Sequence, residues 1–137
     1  MTKKKGQVSF EYIILMGFVT FIITGILGLA FIYSNKAKDK VKVTQMQNCI
    51  NKIISNAEAV FYAGYPSKTT IQCFMPYNIK NIYIYKNELY VNFTTSSGLN
   101  SVSFSSNVPI NGTLSGFRGL KKIEIKAYPG NVTIKFV

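Results

Sequence analysis

Residues 13–33 carry no charge and are almost entirely apolar. At ~1.5 Å per residue such a run makes a helix of about 31 Å, which matches a bilayer core of ~30 Å. A backbone in hydrocarbon must satisfy its polar groups internally, so the helix is the expected state of this segment. It is preceded by Lys3, Lys4, Lys5, Gly6, Gln7, Val8, Ser9, Phe10, Glu11 and Tyr12. An ordinary secretory signal places its cleavage point after the apolar region. Here the only small residue suited to processing, Gly6, lies before it. A cut between Gly6 and Gln7 would remove the basic leader and leave the apolar helix on the mature chain.

Gly6, Gln7, Ser9, Glu11 and Tyr12, followed at once by the apolar run, resemble the class III signal peptide of archaeal type IV pilins. The resemblance covers roughly the first quarter of the chain. It implies a precursor held in the membrane by a single span and cut by a prepilin peptidase. It implies handover to a pilus assembly machinery and self-association, or association with other pilins, in a surface filament. It also implies a role for Glu11. In that family the glutamate at this place pairs with the new N-terminal amine of a neighbouring subunit. Read from the residues alone, a carboxylate beside an apolar helix is costly unless it is paired or reaches the interface. The bland alternative is a Glu11 that rests among lipid headgroups. Cyclisation of Gln7 to pyroglutamate would remove the charged amine and leave Glu11 needing a hydrogen-bond donor.

Within the apolar run, Thr20, Thr24 and Gly28 recur every four residues. Such a stripe allows close helix approach in lipid, although membrane helices are rich in Gly and Thr in any case. Lysine counts do not orient the span, because Lys36, Lys38, Lys40 and Lys42 follow it. Three Asn-x-Thr sequons, at Asn92, Asn111 and Asn131, lie downstream. As N-glycosylation acceptors they favour an external C-terminal part, and the signal resemblance gives the same orientation.

No Pro or Gly occurs over residues 31–63. Val43, Met46, Ile50, Ile53, Ala57 and Val60 recur at helical spacing and form one apolar face. Gly64 and Pro66 end the pattern. One helix from Ser9 to Ala63 is the leading reading, and two helices meeting near Ser34 and Asn35 are the alternative. After residue 66 the period changes to two. Ile71, Cys73 and Met75 alternate with polar or exposed partners, as do Ile82 and Ile84; Leu89, Val91 and Phe93; Ile123 and Ile125; and Val132, Ile134 and Phe136. Val102 and Phe104 sit among serines. Lys86-Asn87-Glu88 and Pro129-Gly130-Asn131 read as hairpin turns. The expected fold is α+β: a long N-terminal helix, membrane-spanning in its first half and amphipathic in its second. That second half packs on an antiparallel sheet or small sandwich. The expected divisions are a leader at 1–6, the apolar helix at 7–33, its amphipathic continuation at 34–65, and an extracellular head at 66–137.

Cys49 lies beside the apolar helix face, and Cys73 lies on the inward side of the first strand. A bond between them would close a loop of about 25 residues, worth ~3 kcal/mol if unstrained. The other reading is a pair of buried thiols that never meet. Tyr83, Tyr85 and Tyr90 form a stripe that reads either as a contact surface or as an exposed, strand-favouring face.

The chain has no His, two Cys and five acidic residues, so a catalytic site or a His/Cys metal centre is not expected, nor is a cofactor. The net charge is +11, and loss of Lys3, Lys4 and Lys5 would bring it to +8. The lysines are spread along the sequence, and no specific nucleic-acid partner is expected. The leading functional reading is a major or minor pilin. It would be a membrane precursor with an external head, and its mature form would sit in a cell-surface filament. The rivals are a non-polymerising anchored surface protein and a pilin-like adhesin or DNA-binding subunit. A DNA binder should gather its lysines on one face of the sheet.

Overall fold

The computed structural model describes residues 4–114 and 118–137, with side chains from residue 9 onward. The expected leader therefore falls partly outside the described residues, at 1–3. One helix, α1 (Lys4–Ala63), is followed by seven strands: β1 (Lys68–Met75), β2 (Ile79–Tyr85), β3 (Glu88–Thr95), β4 (Gly98–Ser105), β5 (Ile110–Thr113), β6 (Gly119–Tyr128) and β7 (Asn131–Phe136). The fold is α+β. The helix is unbroken at Ser34 and Asn35. It stops where the sequence supplies Gly64, whose φ of 78° suits a residue without Cβ. The Gly64 amide donates back to the Phe61 carbonyl at 3.0 Å.

The chain forms two compact units, divided between Lys38 and Asp39. The last turns of α1 belong to the second unit, together with all seven strands. Within that unit Met46, Cys49, Ile50, Ile53, Ile54, Ala57 and Val60 are buried, while Val43 is half-buried. Ile54 was not on the expected face. It widens the apolar stripe that joins the core.

The strands divide into a four-stranded sheet, ordered β1-β6-β7-β5, and a three-stranded sheet, ordered β2-β3-β4. The second is antiparallel throughout. The first is mixed, because β5 runs parallel to β7. The head is thus the expected antiparallel sheet structure in two sheets, with β5 added to it as a parallel strand. The inward residues of both sheets, among them Ile71, Met75, Leu89, Val91, Ile123, Ile125, Val132 and Ile134, join the helix residues in one core. Burial alternates along β3 and β7, as period two requires. The β2–β3 turn places Lys86 and Asn87 at φ of 48° and 64°, the positive values that a type I′ hairpin needs at both central residues. The Tyr65–Pro66 peptide bond is cis.

The parallel β5–β7 pair depends on Gly112. It lies opposite Ile134, at φ of 153°, and a Cβ there would overlap the Ile134 carbonyl. Both the space and the backbone conformation exclude a side chain. Gly112→Ala is expected to destabilise the head by ~2–4 kcal/mol, since it combines backbone strain with loss of the β5 ladder. Chemical denaturation of the full chain in neutral detergent, followed by near-ultraviolet circular dichroism, measures it. An unshifted midpoint would show that β5 contributes nothing to the fold.

Candidate assembly and surface sites

Over residues 9–33 every side chain of α1 is exposed, including Phe10, Ile13, Leu15, Phe18, Phe21, Leu27, Phe31 and Tyr33. The segment is long and apolar enough to cross a membrane. Exposed apolar surface on this scale requires lipid or other protein to cover it. The two threonines are adapted to such surroundings. Thr20 Oγ1 donates to the Met16 carbonyl at 2.7 Å, and Thr24 Oγ1 donates to the Thr20 carbonyl at 2.8 Å. Each hydroxyl is thus satisfied inside its own helix. Gly17, Gly25 and Gly28 have open space around the position of a Cβ, so their smooth surface is free for close approach.

Gly6 and Gln7 lie in the first turns of α1, among residues whose side chains are not described. Glu11 follows one turn later and is exposed. Cleavage between Gly6 and Gln7 would make Gln7 the first residue, with Glu11 one helical turn away on the same strip of surface.

Cys49 and Cys73 are joined by a disulfide, with Cα atoms 5.5 Å apart. The bond links α1 to β1 across a sequence separation of 24. A cleft of about 280 Å³ flanks it, lined by Gln45, Asn48, Lys52, Gln72 and Phe74. Lys52 Nζ donates to the Gln72 carbonyl at 3.2 Å, a second tie between the same two elements. Replacing Cys73 with alanine is expected to lower head stability by ~3 kcal/mol, the value for a loop of this length. Reductant should lower the wild-type denaturation midpoint by a similar amount. A wild-type midpoint insensitive to reductant would remove this role from the bond.

Two further ties were not legible beforehand. Asp39 Oδ2 accepts a hydrogen bond from the Ser96 amide at 2.7 Å, at the β3–β4 turn. Glu58 Oε1 accepts from the Asn107 amide at 3.1 Å and from its Nδ2 at 2.9 Å, in the segment before β5. Two helix carboxylates thus hold loops at separate points along the head. The hydrogen bonds from Ser96 pull the Asp39 carboxyl below its ordinary 3.8, with a smaller pull from Lys42. A lowered folded pKa stabilises the ionised form. The contribution is complete above the ordinary value and is lost as pH falls through the lowered one. The Ser96 amide-proton shift should therefore titrate with a midpoint below 3.8, and should not titrate in Asp39→Asn. A midpoint at or above the ordinary value would contradict the tie.

The sequons occupy three settings. Asn92 is half-buried on the outward side of β3, Asn111 is exposed on β5, and Asn131 is half-buried at the start of β7. Exposure therefore favours Asn111 as an acceptor. Tyr83 and Tyr90 are cross-strand neighbours with stacked rings 5.1 Å apart. Tyr90 Oη donates to Glu88 Oε2 at 2.6 Å, which raises the Tyr90 pKa above its ordinary value. Tyr85 is exposed, with the Lys86 ammonium 5.3 Å from its ring centre.

The two sheets differ in charge on their outward sides. The outward, registered positions of β2, β3 and β4 include Tyr83, Tyr85, Glu88, Tyr90, Asn92, Ser101 and Ser103, with exposed Lys80 at the irregularity in β2 and Lys86 in the β2–β3 turn. The outward side of the four-stranded sheet instead gathers Lys68, Lys122, Lys126 and Lys135 around Glu124. The i, i+2 spacing of Lys122, Glu124 and Lys126 could have revealed part of this gathering. Lys68 and Lys135 join it only through strand pairing. Among the described residues, no group of three or more His, Cys, Asp or Glu side chains could hold a metal ion.

Compared with protein-family models, curated proteins and solved structures, the chain has no match in any of the three.

Proposed function

We propose that this chain is the precursor of a pilin-like structural subunit, anchored by α1, matured by cleavage between Gly6 and Gln7, and assembled through residues 7–33. The observation that carries the proposal is the fully exposed apolar surface of residues 13–33, placed immediately after Gly6, Gln7, Ser9, Glu11 and Tyr12. A membrane anchor explains the apolar surface. It does not explain a small residue before the span or a carboxylate at its start. A subunit that leaves the bilayer to join identical helices explains all three.

The energetics are compatible with that transfer. Lipid tails and neighbouring apolar helices are both dry surroundings, so exchanging one for the other costs little net hydrophobic free energy. The head has its own core, closed by two sheets and by the last turns of α1, and does not need residues 9–33 to complete it. Anchoring and display can therefore reside in separate parts of one chain.

The test is to express the tagged full chain in a host with prepilin peptidase and filament machinery, shear the cells, and measure intact mass in filaments and membranes. The expected result is a chain beginning at Gln7, enriched in the filament fraction. A processed chain confined to membranes while filaments form would instead identify a non-polymerising surface anchor.

A further inference from the structure

The lysines on the outward side of the four-stranded sheet are arranged at some cost. Lys68 and Lys126 are directly opposite one another in the β1–β6 register. Like charges at such a position destabilise a sheet. Glu124 relieves part of this, with Lys68 Nζ 3.3 Å from its Oε2. Glu124 also lies opposite Lys135 on β7. One carboxylate thus stands among Lys68, Lys122, Lys126 and Lys135, and the face keeps a positive excess.

The same face ends in two exposed aromatic rings. Tyr128 continues the outward positions of β6 beyond Lys126, whose ammonium lies 5.1 Å from the Tyr128 ring centre. The Tyr65 ring lies 6.4 Å from that of Tyr128, and both are exposed, at 64% and 42%. The depression between Glu124, Lys126, Tyr128, Thr133 and Lys135 measures about 30 Å³. That is far below the ~300 Å³ or more of a small-molecule pocket. The face is suited to a polymer lying across it.

A second copy of this chain is the wrong partner for it. The chain has five acidic residues. Asp39 is held by Ser96, Glu58 by Asn107, Glu88 by Tyr90 and Glu124 by Lys68, while Glu11 lies at the start of the apolar segment. No acidic patch is left to complement the lysines of a neighbour. The complement must be an anion of another kind.

We propose that this face binds single-stranded nucleic acid without sequence preference. Lys122, Lys126 and Lys135 engage backbone phosphates, and Tyr128 with Tyr65 stacks on bases. Successive outward residues of β6 are ~6.8 Å apart, a step comparable with that between phosphates of an extended single strand. A basic track with aromatic platforms is what sequence-tolerant single-strand binding requires. The closer gathering of lysines on the four-stranded sheet directs such a strand to that side of the head. This inference does not depend on polymerisation, although repetition along a filament would add avidity.

The test uses the full chain in neutral detergent and a fluorescein-labelled oligothymidylate of about twenty nucleotides, longer than one site of this kind occupies. Anisotropy is read over a salt series at pH 7. Lys122→Gln/Lys126→Gln is expected to weaken binding about tenfold and to reduce the salt slope by about 1.4, twice the value of ~0.7 per phosphate on a single strand. The charge-matched control, Lys80→Gln/Lys86→Gln, should change affinity much less. Tyr128→Leu should weaken binding about tenfold with the salt slope unchanged, because stacking releases no counterions. Near-ultraviolet circular dichroism and retention of the disulfide establish that each variant is folded. Equal weakening by the two lysine pairs would overturn the proposal. So would equally tight binding of polygalacturonate at matched charge, which would identify the partner as an acidic polysaccharide.

Discussion

Replacing Gly6 with leucine is expected to leave the precursor at full length in the membrane. The apolar helix is untouched by the change, so insertion proceeds as in the wild type. What changes is the residue immediately before the cut. Hydrolysis there adds water across the Gly6–Gln7 amide, leaving a carboxylate on Gly6 and an amine on Gln7. A peptidase must bring its catalytic groups within hydrogen-bond reach of that amide. Glycine presents the backbone without a Cβ, and a branched side chain would stand between the bond and the enzyme. The expected result is near-complete loss of the chain beginning at Gln7, read by intact mass of the membrane fraction. Gly6→Ala, with one small group added, should retain partial processing. An unchanged mature N-terminus in Gly6→Leu would remove Gly6 from the proposed cleavage.

The effect should extend past processing. An uncut leader keeps Lys3, Lys4 and Lys5 attached to the apolar helix. Three ammonium groups cannot follow that helix into a dry assembly without large desolvation cost. The Gly6→Leu precursor should therefore be absent from sheared filaments even though its head is folded. The disulfide between Cys49 and Cys73 supplies an independent check on that folding.

Much of this architecture could be read from local pattern. The helix is unbroken because residues 31–63 contain neither Gly nor Pro, and it stops at Gly64 for the reason any helix does. The turns at Lys86–Asn87 and Pro129–Gly130 were legible because turn chemistry is local. Strand β5 was not. Ile110-Asn111-Gly112-Thr113 has a single apolar residue, and its extended state comes from parallel pairing with β7, some twenty residues away. The division into two sheets was hidden for the same reason, since period-two strands do not announce their partners. The carboxylate ties follow suit. Asp39 reads as one more charge in a lysine-rich stretch until the fold brings Ser96 to it across 57 residues. For the candidate sites the contrast is similar. Gly6, Gln7 and Glu11 stand in one short motif. The lysine face is assembled from β1, β6 and β7, and a linear reading made those lysines look dispersed.

Glu11→Ala is expected to insert and to be processed like the wild type, yet to enter filaments poorly. In the bilayer Glu11 lies at the start of the apolar run, where a carboxylate can reach headgroups and water. In a filament core it would be surrounded by apolar helices. On the proposed reading cleavage would supply its partner, because the new amine of Gln7 on a neighbouring subunit would be a cation made only by processing. Removing one member of such a buried pair leaves the other uncompensated, at a cost of ~3–5 kcal/mol. With a factor of ten for every 1.4 kcal/mol, filament incorporation should fall at least about a hundredfold. Glu11→Gln separates two versions of the contact. If the partner is the charged amine, glutamine cannot neutralise it, and the variant should behave like alanine. If Gln7 has cyclised, its lactam N–H is a neutral donor that a glutamine carbonyl accepts, and incorporation should recover. The measurement is tagged wild type and both variants at equal processing, quantified in sheared filaments and in membranes. Equal incorporation of wild type and Glu11→Ala would remove Glu11 from assembly and leave the apolar surface of residues 9–33 to account for it alone.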